Sequence, residues 1–144
     1  MRAISSLLII GATAALWHSS ALANEVCSDQ RFIDELSAVK SWTSMYAFYK
    51  RNLPKCSDDG FYAEGYSKSV TELLVKNWSD FLTLSALTSQ DADFRTFVLK
   101  HIDSTADPEH LGQIVASAQA RCPLDSKPLC SAIARGAGAA LAAQ

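Results

Sequence analysis

A chain of 144 residues, 49% apolar and 19% charged, has the length for one domain and one modest core. Its net charge of −2, with no basic run, argues against nucleic acid or an anionic membrane surface as a partner. No C-x-x-C or H-E-x-x-H spacing occurs, and nothing in the composition implies a cofactor.

The chain opens with a short positive region at Arg2, an apolar run from Leu7 to Leu16, and the small-x-small triplet Ala21-Leu22-Ala23. That pattern predicts a secretory signal over residues 1–23, removed after Ala23. The run is shorter than the roughly 20 residues a membrane span needs. The expected mature chain is a single helical domain, residues 24–144, with a net charge of −3 once Arg2 is gone. Nothing later is apolar enough to span a bilayer, so no membrane contact is expected after cleavage. Cys27, Cys56, Cys122 and Cys130 all follow the cleavage site. An even count in an exported chain predicts two disulfides, and a signal of bacterial form places the protein in the periplasm.

Segment one runs from about Asp29 to Leu53. Leu36, Val39, Trp42, Tyr46, Tyr49 and Leu53 recur at steps of three and four, with Phe32 a turn earlier, so the stripe is core. Ser28 or Asp29 supplies a cap, and Pro54 ends the helix. Lys55 to Gly60 is a turn by composition, and the carboxylates of Asp58 and Asp59 sit where a following helix N-terminus favours negative charge. A calcium loop would need more oxygen ligands at alternating positions.

Segment two, Phe61 to Leu87, reads as one amphipathic helix of six or seven turns. Tyr62, Tyr66, Val70, Leu74, Trp78 and Leu82 form the apolar line; Glu64, Lys68, Glu72, Lys76 and Asp80 form a charged ladder. Gly65 costs about 1 kcal/mol relative to Ala inside a helix, which points to a close approach beside Tyr66. The Asn77-Trp78-Ser79 sequon then falls mid-helix. Segment three, about Asp91 to Ser104, puts Phe94, Phe97, Val98 and His101 on one face. Asp107-Pro108 restarts a helix with a capping side chain and Pro at its first position. Segment four carries Leu111, Ile114, Val115, Ala118 and an inward Cys122. A short fifth helix opens at Ser126-Lys127-Pro128 with Leu129, Cys130 and Ile133. The Gly- and Ala-rich tail after Arg135 has little bulk and is expected to fray.

The expected fold is all-α, an irregular bundle of about five helices with two disulfides and mostly antiparallel neighbours. A straight segment one would separate its ends by roughly 30 Å. Cys27 and Cys56 would then each pair with Cys122 or Cys130, not with each other.

Catalytic signals are weak. Ser37-Ala38-Val39-Lys40 matches S-x-x-K without its companion motifs. His101 and His110, near Asp103, Asp107 and Glu109, match no metal-ligand spacing. No catalytic residue and no metal ligand is assigned. Two unlike roles remain open: an exported binding protein that plugs a partner's site, or an exported protein of unrelated role, such as a cell-envelope hydrolase or stress-binding protein.

Gly65-Tyr66-Ser67-Lys68-Ser69-Val70-Thr71-Glu72 resembles the G-Y-I-x-G-V-x-D helix of periplasmic immunity proteins, the Tai/Rap amidase-immunity family of type VI secretion. Phe97-Val98-Leu99-Lys100-His101, Pro108-Glu109, Ile114-Val115 and Cys122-Pro123 resemble that family's closing helices. Ser67 and Ser69 replace Ile and Gly, the Pro-Cys order is reversed, and no cysteine immediately precedes Gly65. The resemblance implies a helical, disulfide-bonded periplasmic protein, with a homodimer as one possible form. Its expected partner is an exported peptidoglycan amidase effector, inhibited by a loop in its active-site groove. Two connections are the expected partner-binding sites: Ser57 to Gly60, with Asp58 and Asp59, and Asp103 to Pro108, with Asp103, Ser104, Thr105 and Asp107. The second is favoured, because the resemblance places inhibition between the later helices.

Overall fold

The computed structural model describes residues 27–144; the expected signal sequence lies outside the described residues. Among the described residues seven α-helices follow one another, rather than about five: α1 Asp29–Ser37, α2 Trp42–Asn52, α3 Gly60–Lys76, α4 Phe81–Gln90, α5 Ala92–Lys100, α6 Pro108–Ala120 and α7 Lys127–Ala142. Single 3-10 turns lie at Trp78–Asp80 and Leu124–Ser126. The fold is all-α, with no strand among the described residues.

The two extra helices arise because segments one and two each break. Segment one stops at Ala38, whose amide closes a tight turn onto the Glu35 carbonyl. It restarts at Ser41, whose side chain accepts from the Ser44 amide while the Ser44 hydroxyl accepts from the Ser41 amide. This reciprocal cap fixes an N-terminus inside what the apolar spacing reads as one helix. Segment two stops at Asn77. Its side-chain amide donates to the Lys40 carbonyl at 2.7 Å, and its carbonyl accepts from the Asp80 amide at 2.9 Å. The sequon therefore sits at a helix end, with the asparagine amide engaged. The apolar line is also shorter than expected: Tyr66, Val70, Leu74 and Trp78 are buried, but Leu82 is 63% exposed.

The break in segment one overturns the expected disulfide pairing. α2 folds back on α1 and brings Cys56 to Cys27, with Cα atoms 4.9 Å apart; Cys122 pairs with Cys130 at 6.1 Å. The expected pairing rested on a straight helix that does not exist. The bridges span 29 and 8 residues, which the chain-entropy model values at about 3.5 and about 2.5 kcal/mol. Cys122 is half-buried rather than fully inward.

Phe32 is the hub of one continuous core. Its ring lies within 4.9 to 5.5 Å of the Tyr62, Tyr66 and Phe48 rings. Tyr66 continues the chain of rings to Phe97 at 5.1 Å. Gly65 makes this packing possible, since an added Cβ would lie 2.9 Å from Phe32 Cε1 and 3.2 Å from Leu36 Cδ2.

The tail does not fray. α7 runs to Ala142, Ala137 and Ala140 are buried, and a Cβ added at Gly136 would lie 3.8 Å from Ile102. Alanine is the best helix former, and small residues let α7 lie close along α6. The Cys122–Cys130 bridge closes this antiparallel pair at one end. At the other, the Gln144 amide donates to the carbonyls of Ser104 and Ala106 at 3.1 and 2.8 Å.

Candidate functional site

The two connections singled out in the sequence meet in the structure. Asp58, on the turn before α3, accepts from Lys100 Nζ at 2.6 Å through Oδ2. Its Oδ1 lies 3.0 Å from His101 Nε2. On the other side of the imidazole, His101 Nδ1 lies 3.1 Å from Ser67 Oγ, and that hydroxyl donates to Asp103 Oδ2 at 2.7 Å. Asp103 Oδ1 in turn accepts from the amide and the hydroxyl of Thr105. A polar line thus runs Lys100–Asp58–His101–Ser67–Asp103–Thr105, from one connection to the other through the middle of α3.

Helix geometry explains the convergence. Gly60, at φ +46°, turns the chain into α3 directly after Asp58 and Asp59. Ser67 is on the inward side of α3, one turn from Val70 and Thr71, which are also buried. His101 ends α5, on the face carrying Phe94, Phe97 and Val98, all buried as expected. Asp107 caps α6 as expected, accepting from the Glu109 amide at 2.7 Å ahead of Pro108. Asp58 and Asp59 do not fill the capping role expected of them. Asp59 occupies the N-cap position of α3 but accepts only from Ser57 Oγ, and Asp58 turns to Lys100 and His101.

The Ser67 hydroxyl donates its single proton to Asp103 Oδ2, the shorter of its two contacts, and His101 Nδ1 lies 3.1 Å from the same oxygen. Nε2 lies 3.0 Å from Asp58 Oδ1, within ion-pair distance when the ring is protonated, although the two atoms are not aligned for a hydrogen bond. Burial holds the imidazole below its ordinary pKa, outweighing the pull of the Asp58 and Asp103 carboxylates. Burial pushes Asp103 up, but the Thr105 and Ser67 hydrogen bonds outweigh it and hold that carboxyl below the usual range. The Tyr66 hydroxyl is buried without a hydrogen-bond partner among the described residues, and burial pushes its pKa well above the ordinary phenol value.

Ser67, His101 and Asp58 stand in the order of a hydrolytic triad. Ser67 and His101 are each only 1% exposed, however, and the serine is inside a continuous helix with its proton given to Asp103. Neither lines the groove between α1 and α3. What the arrangement does chemically is hold Asp103 to α3 through Ser67 and Asp58 to the end of α5 through Lys100. Ser37 and Lys40 of the S-x-x-K match lie on that groove, and the Ser37 hydroxyl donates to the Asp34 carbonyl. His110 is half-buried, and among the described residues no three His, Cys, Asp or Glu side chains gather as a metal site.

The surface above the network consists of exposed Asp59, Ser104, Thr105 and Asp107, with Asp58 and Asp103 half-buried beneath it. Ala106 and Ile102 are buried and anchor the second connection. Sequence reading missed Ser67, Lys100 and Gln144 as parts of this assembly. A serine on the buried side of an amphipathic helix was the available signal for Ser67; Gln144 carried none. No family model, curated protein or solved structure matches the chain. No helix among the described residues is long and apolar enough to cross a membrane, and the two disulfides are consistent with an oxidising, exported compartment.

Proposed function

We propose that this chain is a periplasmic immunity protein that binds an exported peptidoglycan amidase of type VI secretion and blocks its active site with the 101–107 connection. The observation that carries the reading is the bracing of that connection from three sides. Ser67 holds Asp103, Gln144 holds the Ser104 and Ala106 carbonyls, and Asp58 meets His101 and Lys100 at its base. A loop fixed before contact loses less conformational freedom on binding. Its exposed Ser104, Thr105 and Asp107 carry oxygens that can accept hydrogen bonds in a hydrolase groove. The resemblance of Gly65-Tyr66 and Val70 to the immunity helix supports the same role.

The test is co-expression with candidate periplasmic amidases, followed by binding measurements on those that this protein neutralises. Ser104→Arg places a long cation at an exposed position whose side chain makes no hydrogen bond among the described residues. It is expected to abolish rescue while leaving the melting temperature unchanged. Failure to rescue cells from any amidase, together with hydrolysis of a cell-wall or ester substrate by the purified protein, would replace this reading with the enzyme one.

A further inference from the structure

On the side of α3 away from Ser67, a groove of about 470 Å³ runs between α1 and α3. Gly65, with no side chain, and Ser69, with a small one, line it, and Phe32, Leu36, Val39 and Leu73 add apolar surface. Its two ends differ. Ile33 and Phe61 flank one end and are 45% and 51% exposed, two of the four large apolar side chains left so open among the described residues. Lys40, Lys76 and Asn77 gather at the other, joined by the bond from Asn77 to the Lys40 carbonyl. Lys76 is engaged by Glu72 at 2.7 Å, whereas the Lys40 ammonium has no partner among the described residues.

We infer that this groove binds a single-chain amphiphile with a carboxylate head, a long-chain fatty acid, its head at Lys40 and its chain laid toward Phe61. The charge is complementary: an anion meets the unpaired ammonium, and the chain covers the open apolar end. From Phe61 to Lys76 the helix advances roughly 22 Å, room for an extended acyl chain. The volume falls in the range of small-ligand sites, about 300–1,000 Å³. The lining is far smaller than the roughly 800 Å² per partner that a standard protein interface buries. Among the described residues no arginine, the residue suited to bidentate phosphate recognition, lines the groove. The site lies on a different face from the proposed amidase-binding loop and does not depend on it.

The experiment is displacement of cis-parinaric acid from the exported protein by laurate, dodecanol and dodecyltrimethylammonium, each below its micelle-forming concentration. Laurate is expected to compete saturably and to bind more tightly than the other two. Lys40→Glu, on the exposed rim, is expected to weaken laurate by roughly tenfold or more, as for one lost charge-assisted hydrogen bond, and to leave dodecanol unchanged. Ser69→Phe, which fills the groove, is expected to remove binding of all three; Lys40→Glu alone decides the matter if that variant fails to fold. Absence of saturable laurate binding overturns the inference, as does equal binding of the three amphiphiles or indifference to Lys40→Glu. A self-association abolished by Ser69→Phe, with no laurate binding, overturns it in favour of a second copy of the chain.

Discussion

Replacing Ser67 with Ala removes the hydroxyl that joins His101 to Asp103 and alters nothing on the surface. The hydroxyl is 1% exposed and makes contacts of 2.7 Å to the Asp103 carboxylate and 3.1 Å to His101 Nδ1. A hydrogen bond to a charged group contributes about 1.5–3 kcal/mol, and a buried nitrogen left unpaired costs about 1–3 kcal/mol. The two losses overlap, since both belong to one hydroxyl. Asp103 is half-buried and keeps its Thr105 bonds. Alanine regains about 0.5 kcal/mol of helix propensity. The balance is a loss of about 2 kcal/mol, read in a urea titration as a shift of roughly 1 M in midpoint for a typical slope of a small domain. Because the hydroxyl helps hold the Asp103 carboxyl low, part of this loss should vanish as the pH falls through the folded-state pKa of Asp103. A double-mutant cycle with Asp103→Asn should give a coupling of about 1 kcal/mol or more. A Ser67→Ala midpoint shift below about 0.25 M, or a coupling near zero, would refute the bracing of the loop by this network.

Two further outcomes follow from the core. Gly65→Ala sets a helix-propensity gain of about 1 kcal/mol against a Cβ only 2.9 Å from Phe32, whose ring is confined by Phe48, Tyr62 and Tyr66. Overpacking of about 1–3 kcal/mol should win, so a lowered melting temperature is expected, and a raised one would mean that the ring yields freely. His101, held below its ordinary pKa by burial, binds fewer protons folded than unfolded. Its contribution to stability is complete above the unfolded-state value of 6.5 and is lost as pH falls from there through the folded-state pKa. The urea midpoint should drop as the pH is lowered through 6.5, and His101→Asn, though less stable throughout, should show a flatter profile.

Much of the helical layout is legible in the sequence because apolar spacing reports which face a segment buries. Phe94, Phe97, Val98 and His101 share a buried face as their spacing requires, and Asp107-Pro108 starts α6 as its chemistry requires. The breaks are less legible, because a periodic stripe can continue across them. Val39 and Trp42 fit one helical line, yet the Ser41–Ser44 cap competes locally and wins. That single missed turn also misdirects the disulfide pairing, which depends on where the end of α2 arrives. The tail misleads in the opposite way. Bulk is a poor measure of packing where helices approach closely, and Ala137 and Ala140 bury well against their neighbours. The candidate loops are legible as connections, but their junction is not, because Asp58, Ser67, His101 and Asp103 come together only through the packing of α3 and α5.

The placement of polar groups in this fold is uneven. Most of the core is aromatic and aliphatic, yet Ser67, His101, Asp58 and the Tyr66 hydroxyl are clustered on one side of α3. Apolar residues of similar shape at those positions would avoid the desolvation cost that buried polar groups carry. They would also remove the side-chain hydrogen bonds that hold Asp58 to the end of α5 and Asp103 to α3. Hydrophobic contact is non-directional, whereas hydrogen bonds between fixed partners specify a position. The network therefore exchanges some stability for a defined loop geometry, where Ser104 and Thr105 stand exposed on a base of buried Ile102 and Ala106. In the proposed role, that exchange gives the amidase a surface already in its bound shape. An inhibitor that must act as soon as its target reaches the same compartment gains speed as well as affinity from such a surface, since no slow rearrangement precedes docking.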